Sequence, residues 1–173
     1  MRAADTADFA DFVTARAGVL FRTALLLTGD RDRADDLVQS TLEKVYRNWR
    51  KVSAADSPEA YARRILVNLA KDGWRGRKGE LPLLEDRRVA PDPYGPLTLR
   101  DELLRALRAL PYGMRAVLVL RYFEDRPDEE IAELLGVAPA TVRSQAARGL
   151  QKLRAAALPA TGNVIRPGFG GAA

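Results

Sequence analysis

The chain holds 173 residues, 47% hydrophobic and 29% charged, which suits one folded domain of ordinary size or two small ones and argues against a disordered chain. It contains no cysteine and no histidine, so a disulfide framework, a thiolate metal site, a cysteine nucleophile and the commonest general base are excluded. The net charge of +5 is concentrated: residues 57–78 carry six basic and two acidic groups and residues 139–173 five basic and no acidic ones, two cationic surfaces of the kind that hold a polyanion.

At the N-terminus, MRAADTADFADF is polar and acidic, and TALLLT falls far short of the roughly 20 apolar residues of a membrane span. A cytoplasmic chain without membrane attachment is expected. Phe9, Phe12, Val13, Ala17, Leu20, Ala24 and Leu27 recur at three and four, which predicts a long amphipathic helix over 7–28. Gly29 is its stop and Asp30 the N-cap of the next helix, whose inner stripe is Ala34, Leu37, Val38, Thr41, Leu42, Val45 and Trp49. The other face of that helix shows Asp35, Asp36, Gln39 and Glu43.

After the loop RKVSAADS, Ser57 caps a third helix with Pro58 at its first position and Glu59 in its first turn, where the helix dipole favours an acid. This helix is expected to bury Tyr61, Ala62, Ile65, Leu66, Leu69 and Ala70 and to show a basic surface of Arg63, Arg64, Lys71, Arg75, Arg77 and Lys78. The proline-rich stretch from Gly79 breaks every period and reads as a linker, long enough that the two halves need not touch. Periodicity resumes at Thr98 with Leu99, Leu103, Leu107 and Leu110, stops at Pro111, and continues as a short helix in GMRAVLVLRYF. Residues 156–173, rich in breakers toward the end, are expected to form a disordered tail. No segment alternates over a useful length, so the class is all-α: two small helical domains joined by a flexible linker.

Between them, residues 129–154 (EEIAELLGVAPATVRSQAARGLQKLR) have the form of a helix-turn-helix. Ile131, Leu134 and Leu135 face inward, Ala132 is small at the crossing, Gly136 makes the turn and Val137 plugs the space between the helices. Val142, Ala146, Leu150 and Leu153 line the inside of the second helix. That leaves Thr141, Ser144, Gln145, Arg148 and Lys152 on an outer face. Gln suits adenine, Arg suits guanine, and Thr or Ser suits a base edge or phosphate, while Arg143 on the flank suits a phosphate. Ala138 stands where a capping Ser or Thr is usual, and Pro139 offsets part of that loss. An αα-hairpin with a solvated basic helix is the bland alternative; the absence of acids beyond residue 138 argues against it.

Three motifs in order, LLLTGDRDRADDLVQSTLEKVYRNW, SPEAYARRILVNLAKDGWRGRK and LPYGMRAVLVLRYFEDRPDEEIAELLGVAPATVRSQAARGLQKLR, resemble the bacterial sigma factors of the extracytoplasmic-function (ECF, group IV) kind within the sigma-70 family. The resemblance implies sigma region 2 over 7–78, a linker over 79–98, sigma region 4 over 99–155 and a tail beyond. It implies a non-enzymatic promoter-specificity subunit that binds core RNA polymerase, recognises the −10 and −35 promoter elements and initiates transcription, with no cofactor, metal or catalytic residue. Asp35, Asp36 and Gln39 would then dock on the clamp helices of the polymerase β′ subunit, with region 4 near the β flap. Arg63, Arg64, Asn68, Lys71, Trp74, Arg75 and Lys78 would handle the −10 element, with the loop from Arg50 to Asp56 over a flipped base. Thr141, Arg143, Ser144, Gln145, Arg148 and Lys152 would read the −35 element.

An anti-sigma factor is a further partner the resemblance implies. The Ser144–Gln145 pair and the abundance of Arg and Ala are similar to actinobacterial members of the SigE type. Gln145, followed by Ala146 and Ala147, departs from the basic residue common in the family at that point, so no −35 consensus carries over. Pro127 likewise replaces the usual Ser or Thr cap, a task open to Asp128. The competing reading is a stand-alone helix-turn-helix regulator that binds an operator as a dimer. It leaves the second basic helix and the acidic face unexplained.

Overall fold

The computed structural model describes residues 3–76 and 99–157, which are helical apart from turns. The expected linker, and the expected tail from residue 158 on, lie outside the described residues, as do Lys78 and the proposed Thr98 cap; residues 156 and 157, expected to begin the disordered tail, are instead the last residues of a helix. Helix α1 (Ala3–Thr28) packs along α2 (Arg31–Arg47); the one-turn α3 (Trp49–Val52) and α4 (Pro58–Gly76) complete a first lobe. The second lobe contains α5 (Leu99–Ala109), α6 (Tyr112–Leu118) with a π turn at Val119–Phe123, α7 (Asp128–Leu135) and α8 (Pro139–Ala157).

Local chemistry sets the helix ends as expected. Gly29 and Gly136 both take φ of +67°, the left-handed conformation that ends a helix without a Cβ penalty. The Asp30 carboxylate accepts from the Arg33 amide at 2.9 Å, and the Ser57 hydroxyl from the Ala60 amide at 3.1 Å. Asp128 does not cap α7: its carboxylate pairs with Arg121 at 3.4 Å, and the α7 N-terminus has no side-chain cap. The Ala138 carbonyl accepts the first α8 hydrogen bonds, from Thr141 and Val142.

The expected inner stripe of α2 is inside: Ala34, Val38, Thr41, Val45 and Trp49 are buried, with Leu37 and Leu42 packed against them. In α4, Ala62 and Leu66 are buried as expected, but Val67 is also fully buried and Tyr61 is exposed. Val67 lies off the stripe that faces α1 and α2. The second lobe covers it: the Tyr112 hydroxyl donates to the Val67 carbonyl at 3.3 Å.

The two halves therefore touch, although the linker is long enough not to require it. One continuous apolar core runs from Leu20, Ala24 and Leu25 of α1 through Leu66 and Val67 of α4 to Leu104, Tyr112, Ala116, Leu120, Ile131 and Leu135 of the second lobe. Each large side chain buried there contributes about 1.5–3 kcal/mol. A long linker permits separation, but apolar area on both sides favours contact. A smaller cluster of Leu107, Leu110, Met114 and Leu118, with Leu150 and Leu153 against it, holds α8 to α5 and α6.

Candidate nucleic-acid and polymerase interface

The acidic face of α2 stands clear of both lobes. Asp35, Asp36, Gln39 and Glu43 are exposed, and Gln39 reaches Glu43 at 3.4 Å, a marginal hydrogen bond one turn along the helix. Four polar side chains thus form a flat face available to a partner.

The surface of α4 divides in two. Arg64, Asn68 and Arg75 are exposed. Arg63 and Lys71 are instead engaged by the second lobe. The Arg63 guanidinium is 12% exposed, donates through Nε to Glu124 at 2.9 Å and through Nη1 to Glu130 at 3.3 Å. The Lys71 amine donates to the Leu135 carbonyl at 3.0 Å, at the end of α7 and beside the helix-turn-helix turn. Trp74 is 40% exposed; its ring stacks on Tyr112 at 6.3 Å and lies under the Arg115 guanidinium at 5.7 Å.

On α8, Arg143, Ser144, Arg148 and Lys152 are exposed and Thr141 is half-buried. Gln145 corrects the expected outer face. Its side chain turns toward Gly113 of α6, where an added Cβ would lie 3.8 Å from its Nε2, and its Oε1 is buried without a hydrogen-bond partner. The glycine leaves a flat site that a flexible amide fills. Val137, expected as a plug between helices, is 39% exposed, because the closure of α7 on Ala132 turns it outward.

The segment from Arg50 to Asp56 is only partly a loop. Arg50–Val52 belong to α3, pinned by buried Trp49 and Val52, and the turn closes with Ser53 donating to the Trp49 carbonyl at 2.7 Å. Beside it is a cleft of about 760 Å³ lined by Asp5, Tyr46, Arg47, Asn48, Arg50 and Lys51, at whose edge Trp49 lies buried with its indole N–H unpartnered. Phe9 meets Tyr46 and Trp49 edge-on at 4.9 and 5.2 Å, which fixes the aromatic wall. Three cations beside an aromatic wall, with Asp5 the one acid in the lining, suit a planar ligand that carries negative charge.

Comparison with known proteins agrees with this division of the chain. The model of Sigma-70 region 2 matches residues 12–80, and that of Sigma-70 region 4 matches residues 100–153. The RNA polymerase sigma-E factor of Streptomyces coelicolor is 34% identical over 149 residues, spanning 85% of this chain and 84% of the relative. The chain belongs to the sigma-70 family, in its ECF group. The ECF RNA polymerase sigma factor SigE of Mycolicibacterium smegmatis is 36% identical to this sigma factor over 83% of the chain and 59% of the relative's length. Among solved structures, the sigma factor RpoE of Bartonella quintana, in complex with the anti-sigma factor NepR, is similar with a TM-score of 0.70 and 26% identity, covering 86% of this chain and 96% of that one. CnrH in complex with the cytosolic domain of CnrY is similar with a TM-score of 0.59 and 25% identity, covering 85% of each chain. Among the described residues of the sigma factor, no helix is long and apolar enough to cross a membrane, and no cluster could hold a metal ion.

Sequence reasoning missed one residue that organises the second lobe. Arg115, 5% exposed, donates to four backbone carbonyls: Leu107 through Nε at 2.8 Å, Leu27 through Nη1 at 2.7 Å, and Arg108 and Leu110 through Nη2, both at 3.0 Å. These are carbonyls at the C-terminal ends of α1 and α5, where helices lack internal donors and carry partial negative charge. Burial pushes the guanidinium down to about 10, partly opposed by Tyr112, so it remains charged at neutral pH. Burial likewise holds the Tyr112 hydroxyl protonated, well above the ordinary tyrosine range. An arginine inside the apolar run MRAVLVL was the available signal.

Proposed function

We propose that this sigma factor is a promoter-specificity subunit with a three-part division of labour. Asp35, Asp36 and Gln39 of α2 dock on the clamp helices of the polymerase β′ subunit, with the second lobe near the β flap. Arg63, Arg64, Asn68, Lys71, Trp74 and Arg75 of α4, with Lys78 beyond it, hold the melted −10 element, and the aromatic and cationic cleft beside α3 receives an unstacked base. Thr141, Arg143, Ser144, Arg148 and Lys152 of α8 engage the −35 element in the major groove, with Gln145 at its inner margin.

The observation that carries this reading is the separation of sign between faces: a bare acidic face on α2, and basic faces on α4 and α8, within matched regions 2 and 4. An anti-sigma factor is a further partner, supported by solved relatives held by such proteins. Transcription with purified core polymerase and genomic DNA, followed by mapping of start sites, tests the whole. Start sites that share two upstream elements support it. A chain that ignores core polymerase and binds a palindrome as a dimer refutes it.

A further inference from the structure

The cleft beside α3 holds more positive charge than one unstacked base requires. Helix α2 ends at Arg47, Asn48 interrupts the run with its side-chain amide donating to the Lys44 carbonyl at 3.1 Å, and α3 restarts at Trp49. Arg47, Arg50 and Lys51 are thereby gathered at one cleft, all three exposed and none ion-paired among the described residues. Asp5 is the one acid in the lining, so a surplus of two positive charges faces the occupant. A nucleotide within a strand brings a single phosphate charge. No residue of α4 lines the cleft, so the cations assigned to the −10 backbone lie outside it.

Flat surfaces for a base are present as well. The Tyr46 ring is 41% exposed and is met edge-on by Phe9 at 4.9 Å. Trp49 is packed by Phe9 and Phe12, both at 5.2 Å, and its buried indole N–H has no partner. A buried donor is normally paired, so an unpaired one at the margin of a cleft marks a place for an acceptor on a ligand. The volume of about 760 Å³ lies within the ~300–1,000 Å³ of small-molecule sites. Several cations and an aromatic wall in one cleft match a nucleoside that carries several phosphates.

We propose that the cleft beside α3 binds a free nucleoside triphosphate, with Arg47, Arg50 and Lys51 on the phosphates and Tyr46 against the base, and that this occupant excludes the unstacked promoter base. Occupancy then ties strand opening to the supply of the nucleotides that transcription consumes. Binding follows from the cleft alone. The competition rests on the reading of the same cleft as the receiver of the −10 base.

Calorimetric titration of the full chain with ATP, in EDTA so that no divalent metal shields the phosphates, tests binding. Every base has a face that stacks, so ATP serves as the probe, and adenosine and inorganic tripolyphosphate are its two halves. ATP should bind at least about tenfold more tightly than either, because stacking and charge act together. Arg50→Ala with Lys51→Ala should weaken ATP and tripolyphosphate alike, by about tenfold. Tyr46→Leu should weaken ATP at least about fivefold and leave tripolyphosphate unchanged. Arg22→Ala with Arg33→Ala removes as many exposed cations from α1 and α2 outside the cleft and should change neither. All these positions are exposed, and helical circular dichroism checks the fold of each variant. Equal affinity for ATP and tripolyphosphate overturns the proposal. So does an Arg22 and Arg33 variant that loses as much as the Arg50 and Lys51 variant, since attraction to net charge explains both, and so does the absence of binding at millimolar ATP.

The competition is read with holoenzyme and a labelled single strand carrying the mapped −10 element, again in EDTA. ATP at about ten times its dissociation constant should weaken strand binding about tenfold in the parent and leave the Arg50 and Lys51 variant unaffected. ATP that binds the cleft without weakening the strand keeps the nucleotide site and overturns the exclusion, which removes the promoter base from the cleft. A chain that binds ATP but forms no holoenzyme leaves the site standing, and the promoter-subunit reading fails instead.

Discussion

The two basic helices look alike in sequence and differ in what their cations do. On α8 the charges of Arg143, Arg148 and Lys152 face solvent, whereas on α4 Arg63 and Lys71 are already paired with the other lobe and only Arg64 and Arg75 remain exposed. Net charge of a segment measures its stock of cations, and tertiary contacts determine how many can reach a ligand. The cations of α8 are open to any anionic partner in the described conformation, whereas two of those on α4 already have partners in the second lobe.

The most severe way to break this contrast is to loosen the frame behind both helices. Arg115→Met keeps the volume but strands carbonyls at two helix ends, at a cost on the order of 3 kcal/mol. A fall of roughly 10 °C in Tm is expected by calorimetry, and a change within two degrees would show that water replaces the guanidinium freely. Next in size, Arg148→Ala should cost about 1–3 kcal/mol in binding a duplex that carries the mapped −35 element. Gel-shift titration should show that loss with core-polymerase affinity unchanged. A loss of polymerase binding would remove the contrast between DNA-facing α8 and partner-facing α2.

Gln145→Leu sharpens the contrast at its edge. Relief of the unpaired buried Oε1 should stabilise the chain by up to about 1 kcal/mol, read by urea denaturation. If the same variant transcribes from the cognate promoter as well as the parent, Gln145 is packing and not a reader of adenine. The smallest effect on the fold is expected for Asp36→Arg, less than about 0.5 kcal/mol at an exposed position. Its affinity for core polymerase, measured by fluorescence anisotropy, should nonetheless fall. Unchanged affinity would remove α2 from the docking role.

What could be read from the sequence was what local chemistry decides. Gly29, Asp30, Ser57, Pro58 and Gly136 mark helix ends because caps and left-handed turns depend on neighbours in the chain, and they hold in the structure. The α2 stripe was legible for the same reason, since a period of 3.6 separates its faces. Periodicity says which face is apolar and not what covers it, which is why Val67 was missed. Arg115 was missed because a buried cation is rare, and its partners lie up to 88 residues away on another helix. Gln145 was assigned outward on helical phase alone. The neighbour that receives it, Gly113, belongs to a different helix and contributes no side chain that a pattern could register.

One consequence follows from the π turn at Val119–Phe123. Such a turn amounts to a single residue inserted into an α-helix, and one residue rotates everything beyond it by about 100°. Without the insertion the chain after α6 would leave in a different azimuth, and Glu124 would aim away from Arg63. Pairing between the lobes thus depends on chain length at one point: deleting one uncharged residue of the turn would keep every charged residue in the sequence and change only the direction in which those beyond it point.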